Sequence, residues 1–270
     1  MNKSCGGQGL LSLNGKSLYY RHAGDSGSPI LFIHGLGGSS EFYTPLISAL
    51  NLQDSHSLHL LDLEGHGLSP TSATSVISIE SYAEDFAALA SHLDLQGVTV
   101  IAHSMGCLVA ETLALNHPEL INKLVLLGPP PAPLPEAAQT GSIARAATVR
   151  GKGMAAVVDA VLTAGTSAAT KSVNPLAVAA IRMSLLGQDP EGYAKGCTAL
   201  AGATKTMKFE GIKAKTLIIT GDEDKVSPPT LCQKMTEQIS GSKTVTLKNC
   251  GHWHIFEDVA GVASAMKDFL

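Results

Sequence analysis

The sequence predicts a doubly wound α/β fold, and three observations predict it. Short, uniformly apolar runs alternate with helix-patterned stretches from about residue 29 onward, polar residues cluster just past the ends of those runs, and the alternation lapses only once, for about 80 residues. Runs that are apolar on successive residues suit strands buried on both faces, as in a parallel sheet covered by helices. At 270 residues and 44% hydrophobic content the chain is long enough for a well-buried core in one large α/β domain or two small ones, and one domain with an insertion is the first expectation.

Residues 9–22 read as two short strands around Asn14-Gly15, a strong hairpin dipeptide. The buried-strand runs follow: PILFI (29–33), SLHLL (57–61), VTVIA (98–102), KLVLL (123–127), TLIIT (216–220) and KTVTL (243–247). Helical patterns fall between them over 79–93 and 107–120, the first with apolar residues at i, i+3 and i+4 spacing. After KLVLLG, the proline-rich stretch PPPAPLP (129–135) opens an Ala-rich segment whose apolar spacing needs burial, which reads as an inserted helical cap. The expected organisation is a core of residues 1–128 and 211–270 with a cap at 129–210.

A net charge of −4, with 19 basic residues scattered along the chain, leaves no basic face for nucleic acid and no polybasic patch for a membrane surface. The expected partner is a small molecule, and the sequence carries no signal for oligomeric state. The five cysteines (5, 107, 197, 232, 250) show no C-x-x-C or other metal-ligand spacing, so reduced thiols are expected, with no metal and no cofactor. The first residues lack the apolar core of a secretory signal, and no run of 18 apolar residues exists, so the expected location is cytoplasmic.

In an α/β sheet of this kind the site lies at the C-terminal ends of the strands. VTVIA is followed there by H-S-M-G and then a helix, a context that holds Ser104 on a tight bend with small neighbours at Ala102 and Gly106. Taken alone, the motif suits a nucleophile and an ordinary Ser N-cap equally. A nucleophilic Ser demands a base and an acid. GDEDKVSPP (221–229) supplies three acids, Asp222, Glu223 and Asp224, after TLIIT, and KNCGHWHIFED (248–258) supplies His252 after KTVTL. His254 competes with His252, which Gly251 favours by freeing the backbone beside it. The order Ser, acid, His separates this arrangement from the trypsin-like and subtilisin-like ones. FIHGLGGSS (32–40) supplies glycines that turn the Leu36 N–H toward the bend, where it joins the N–H of Met105 as an oxyanion hole. It lacks the spacing of a dinucleotide loop and the lysine of a P-loop.

HGLGGSS (34–40), DLEGHGLS (62–69), AHSMG (102–106), GDEDKVSP (221–228) and CGHW (250–253) occur in the order seen in α/β-hydrolase fold enzymes, and the resemblance spans nearly the whole chain, with Ala102 in place of the usual first Gly. It implies the α/β-hydrolase fold, a mostly parallel twisted sheet of about eight strands with an inserted helical cap. It also implies Ser104 as nucleophile, Asp224 as acid, His252 as base and Leu36 with Met105 as oxyanion donors, while His34, Asp62 and His66 match positions that shape the loops around the site. The cap segments 145–163 and 181–200 resemble those of 3-oxoadipate enol-lactonases, whose substrates carry a carboxylate; Arg145, Arg150 and Trp253 are the candidate substrate contacts. For either arginine the alternative is a solvated helix residue. The chain departs from that pattern at Ser142, near the usual place of an aromatic, and at Ala164-Gly165 in place of a Trp-Phe pair, which is expected to open the pocket.

The implied activity is hydrolysis of a lactone or carboxylic ester through an acyl-enzyme. A Ser at 104 argues against dehalogenase and epoxide hydrolase chemistry, both of which use a carboxylate nucleophile. Carbon–carbon bond hydrolysis on the same triad and a small-molecule receptor that retains the fold stay open.

Overall fold

The computed structural model describes residues 7–270, so Cys5 lies outside the described residues. Eight strands form one sheet: β1 (Gln8–Leu13), β2 (Lys16–Ala23), β3 (Pro29–Ile33), β4 (Ser57–Leu61), β5 (Val98–His103), β6 (Ile121–Leu127), β7 (Lys215–Gly221) and β8 (Lys243–Leu247). Their spatial order is β1-β2-β4-β3-β5-β6-β7-β8, with β2 antiparallel to both β1 and β4 and every other pair parallel. The β1–β2 hairpin closes on Asn14 and Gly15, both at positive φ (51° and 73°), as a two-residue turn that follows the strand twist requires.

Helices cover both faces: α1 (Thr44–Leu50), α2 (Ile79–His92), α3 (Met105–Asn116), α9 (Pro229–Gln238), α10 (His254–Glu257) and α11 (Val259–Lys267) belong to the strand-bearing part. Between β6 and β7 the chain forms α4 (Glu136–Lys152), α5 (Val158–Gly165), α6 (Ala168–Val173), α7 (Pro175–Leu186) and α8 (Pro190–Ala201) and no strand. No helix of the described residues is long and apolar enough to cross a membrane.

Alternation along the strands splits the core in two. Leu31, Ile33, Val100, Ala102, Leu124, Leu126 and Ile218 face one side, whereas Ile30, Phe32, Ile101, Val125, Leu127, Leu217 and Ile219 face the other. The second layer continues into the helical segment through Val149, Val158, Leu162, Ile181, Leu185 and Tyr193, so its apolar positions are buried against the sheet side and not against one another alone.

Two elements differ from the sequence expectation. β8 is partly exposed along most of its length, because it forms the sheet edge and has a strand neighbour on one side only. The helix expected over 107–120 starts earlier, at Met105, and stops at Asn116, because Pro118 excludes helical geometry at His117 (φ −130°, ψ 59°).

α3 is buried on every side from Met105 to Ala114, and Glu111 sits in it fully enclosed, with no hydrogen-bond partner on either carboxyl oxygen. Burial pushes its pKa well above the usual carboxylate range, so the folded state holds it protonated. The unfolded chain releases that proton near pH ~4.3, so stability falls as pH rises from there toward the folded pKa. Glu111→Met removes this penalty together with an unpaired polar group worth about 1–3 kcal/mol. Its melting temperature is expected to exceed wild type by several degrees at pH 8 and by less at pH 4.5. Thermal unfolding at the two pH values checks this, and a gain that fails to grow with pH refutes it.

Candidate active site

The sheet brings the end of β5 beside the end of β3, with Ile33 in register with Ala102, and aligns β5 with β6, β6 with β7 and β7 with β8 at nearly the same level. The loops after β3, β5, β7 and β8 therefore meet over one edge, as expected at a switch in strand order. Ser104 stands at the turn after β5 with φ 52° and ψ −123°, outside the regions open to ordinary residues. Only glycine fits beside it: a Cβ on Gly106 would lie 2.3 Å from the Ile33 carbonyl oxygen, and one on Gly35 would lie 2.9 Å from Ser104 Cβ.

Ser104, His252 and Asp224 meet across their three loops. Ser104 Oγ donates to His252 Nε2 at 2.7 Å, and His252 Nδ1 donates to Asp224 Oδ2 at 2.8 Å, the tautomer that an acceptor-only carboxylate imposes. The other oxygen, Oδ1, accepts from the peptide N–H groups of Val226 (2.8 Å) and Ser227 (2.9 Å). Burial alone would raise the Asp224 pKa, but His252 and His254 beside it outweigh that and hold the carboxyl well below its usual range. Asp222 turns elsewhere, toward the Cys250 N–H (3.4 Å) and Lys248. His254 is fully buried with Nε2 3.3 Å from Asp224 Oδ2, the oxygen that His252 also meets, while Ser104 Oγ bonds to His252.

Met105 is the first residue of α3, where a helix leaves its N–H without a partner, and the Leu36 N–H donates to no protein acceptor among the described residues. His34 holds the Leu36 loop: its Nδ1 bonds the Gly35 carbonyl (2.9 Å) and its Nε2 accepts from Leu63 N–H (2.9 Å), while burial lowers its pKa to about 4 and keeps it neutral. Asp62 ties the neighbouring loops through the N–H groups of Ser40 and Leu68, and His66 packs against His34.

A cavity of about 550 Å³ opens above Ser104, walled by α4 and α5 with many small residues, among them Ser142, Ala160, Ala164 and Gly165. Its lining is mostly apolar, and Trp253 and Arg145 both face it. Part of the room freed at Gly165 is taken up again by Trp253, whose indole Nε1 would lie 2.7 Å from a Cβ there. Arg145 has one side-chain partner, the hydroxyl of Tyr193 (3.4 Å), and no carboxylate within salt-bridge distance among the described residues. Arg150 is not with it: it lies exposed outside the cavity, in a two-bond pair with Glu191 (2.8 and 3.0 Å). Burial pushes the Cys197 thiol up to about 11 and the Cys232 thiol up to about 12, so neither is held as a thiolate near neutral pH.

Three residues at this site escaped the sequence analysis. Tyr193 braces Arg145. His103, which burial followed by the neighbouring His252 and His254 keeps neutral, donates from Nε2 to the carbonyl of His252 (2.8 Å). Glu257 accepts from the N–H groups of Gly251 and Trp253, on either side of His252. His103 and Glu257 both stand inside the motifs read for Ser104 and His252, but nothing in their spacing signals a contact with a backbone elsewhere in the chain.

The family model described as alpha/beta hydrolase fold matches residues 28–151. Over 237 residues, 86% of this chain and 85% of that protein, the chain is 28% identical to 3-oxoadipate enol-lactonase 2 of Acinetobacter baylyi. A shorter match, 38% identical over 112 residues, is to a probable lysophospholipase, BODYGUARD 3, of Arabidopsis thaliana, of whose length the chain spans only 22%. Among solved structures, the enol-lactonase from Burkholderia xenovorans LB400 superposes with a TM-score of 0.86 at 26% identity, covering 96% of this chain and 98% of that one. A thermophilic esterase from Thermogutta terrifontis superposes at 0.90 with 23% identity, covering 97% of each chain, and shares the fold.

Proposed function

We propose that this chain, a member of the α/β-hydrolase fold superfamily similar to 3-oxoadipate enol-lactonases, is a serine hydrolase that cleaves a lactone or carboxylic ester. The observation that carries the reading is the hydrogen-bonded series Ser104–His252–Asp224 at the floor of a cavity large enough for a small ester. Residues 129–210 act as the cap that encloses the substrate. His252 takes the Ser104 proton as Oγ attacks the carbonyl, Asp224 stabilises the imidazolium, and the N–H groups of Leu36 and Met105 receive the oxyanion. Collapse of the tetrahedral intermediate expels the alcohol, which takes its proton from His252; in a lactone that alcohol stays tethered to the acyl group. Water, deprotonated by His252, then attacks the acyl carbonyl, the bond to Ser104 Oγ breaks to release the acid, and Oγ takes its proton back from His252.

The substrate class follows from Arg145. A guanidinium on an apolar wall, braced by a phenol and with no carboxylate in salt-bridge distance among the described residues, suits a substrate that brings its own carboxylate. The enol-lactonase relative points the same way. The test is turnover on a panel of lactones and short-chain esters that includes a five-membered lactone bearing a carboxymethyl group and its uncharged carboxamide analogue. Arg145→Ala is expected to lower kcat/KM for the acid by about 1.5–3 kcal/mol, with the amide affected far less. Absence of turnover across the panel would refute hydrolysis in favour of a binding role. Equal effects of Arg145→Ala on acid and amide would remove the carboxylate contact.

A further inference from the structure

The loop that presents His252 is fastened to the helical segment by one carboxylate. Glu257 Oε2 accepts from the N–H of Gly251 (3.0 Å), the N–H of Ser167 (2.8 Å) and the hydroxyl of Thr170 (2.8 Å), while Oε1 accepts from the N–H of Trp253 (3.0 Å). Two of these donors flank His252 and two belong to the start of α6. All four are uncharged, and a carboxylate, which only accepts, is the side chain that satisfies them together. The same seam carries two further bonds: His252 N–H donates to the Gly165 carbonyl (2.7 Å), and Ala168 N–H donates to Glu223 (2.8 Å), next to Asp224. The two backbones touch, since a Cβ on Gly251 would lie 2.6 Å from the Gly165 oxygen and 2.7 Å from the Ser167 nitrogen.

We infer that Glu257 is a positioning residue which holds His252 in line with Ser104 and makes that alignment depend on the helical segment being seated on the strand ends. The inference rests on the proposed roles of Ser104 and His252. The residues on both sides of His252 have no other partner for these N–H groups than Glu257 among the described residues, and that same carboxylate is shared with Ser167 and Thr170. If α6 lifts away, Glu257 loses half of its donors and the His252 loop loses its brace.

Modification of Ser104 by a small fluorophosphonate measures the alignment directly and needs no knowledge of the substrate. Wild type should be labelled on Ser104, with Ser104→Ala as the blank. Glu257→Gln is expected to slow labelling about tenfold and Glu257→Ala about a hundredfold, the scale of a displacement near 1 Å. Thr170→Val, which alters only the α6 side, should slow it a few-fold. Labelling should still run to completion in each, and the pH midpoint of the rate should move, whereas a purely structural role would lower the labelled fraction and leave the midpoint in place. Folded Glu257→Gln and Thr170→Val variants with wild-type rates and midpoints would overturn the inference, even if Glu257→Ala failed to fold. Wild-type protein left unlabelled at Ser104 would instead overturn the proposed function.

Discussion

Ser104→Ala is expected to fold as wild type does and to lose turnover by about 10⁴–10⁶-fold, leaving only what the oxyanion donors and binding supply. Among the described residues Oγ makes one bond, to His252 Nε2, so its removal disturbs no other hydrogen bond there. The backbone stays as strained with Ala as with Ser, because the cost of φ 52° falls on the Cβ that both share. Ser104→Gly separates the two properties: it should be equally inactive yet more stable by about 1–3 kcal/mol, the usual cost of a non-glycine residue in such a conformation. Turnover, thermal melting and mass spectrometry after fluorophosphonate treatment check both variants. An active Ala variant, or a label elsewhere, would remove Ser104 from the reaction.

The frame that carries Ser104 was legible because strands buried on both faces leave uniform apolar runs. β3 and β4 coincide with PILFI and SLHLL, β5 and β6 exceed their runs by one and two residues at one end, and β7 exceeds its run by one residue at each end. The signal is weaker where one face meets solvent: KTVTL has the right limits but is an edge strand. Ser104, Asp224 and His252 were legible for a related reason. Each follows a predicted strand, and parallel strands end on one side, so a linear order of motifs became a cluster in space.

Contacts set by side-chain direction were harder to read. Arg145 and Arg150 both lie on α4, yet residues five apart on a helix point about 140° apart, so both cannot face one cavity. Tyr193 on Arg145 and Glu257 on Ser167 required the docking of one helix on another, which no periodicity encodes. The choice between Asp222 and Asp224 also depended on loop shape: Val226 and Ser227 turn their N–H groups back onto Asp224, and only that carboxylate comes to His252.

Asp224→Asn is expected to lower kcat by about 10⁴-fold while Asp222→Asn leaves it nearly unchanged. The N–H groups of Val226 and Ser227 demand an acceptor, so the Asn carbonyl oxygen takes the place of Oδ1 and the amide nitrogen takes the place of Oδ2, facing His252. An NH₂ group there donates, so His252 Nδ1 must accept, and the ring proton moves to Nε2. That proton then points at Ser104, and the nitrogen that should receive the Ser104 proton is already occupied. The loss falls on kcat more than on KM, because the geometry of the cavity is kept. The variant also costs stability at neutral pH: the folded pKa of Asp224 is depressed, so its charge stabilises the fold above about pH 3.9 and ceases to do so only as pH falls through the folded value. Rates must therefore be measured well below the melting temperature of the variant, and steady-state kinetics on wild type and both Asn variants decides the assignment. A comparable loss in Asp222→Asn alone would transfer the role to Asp222, and full activity in both would show that His252 needs no carboxylate to work.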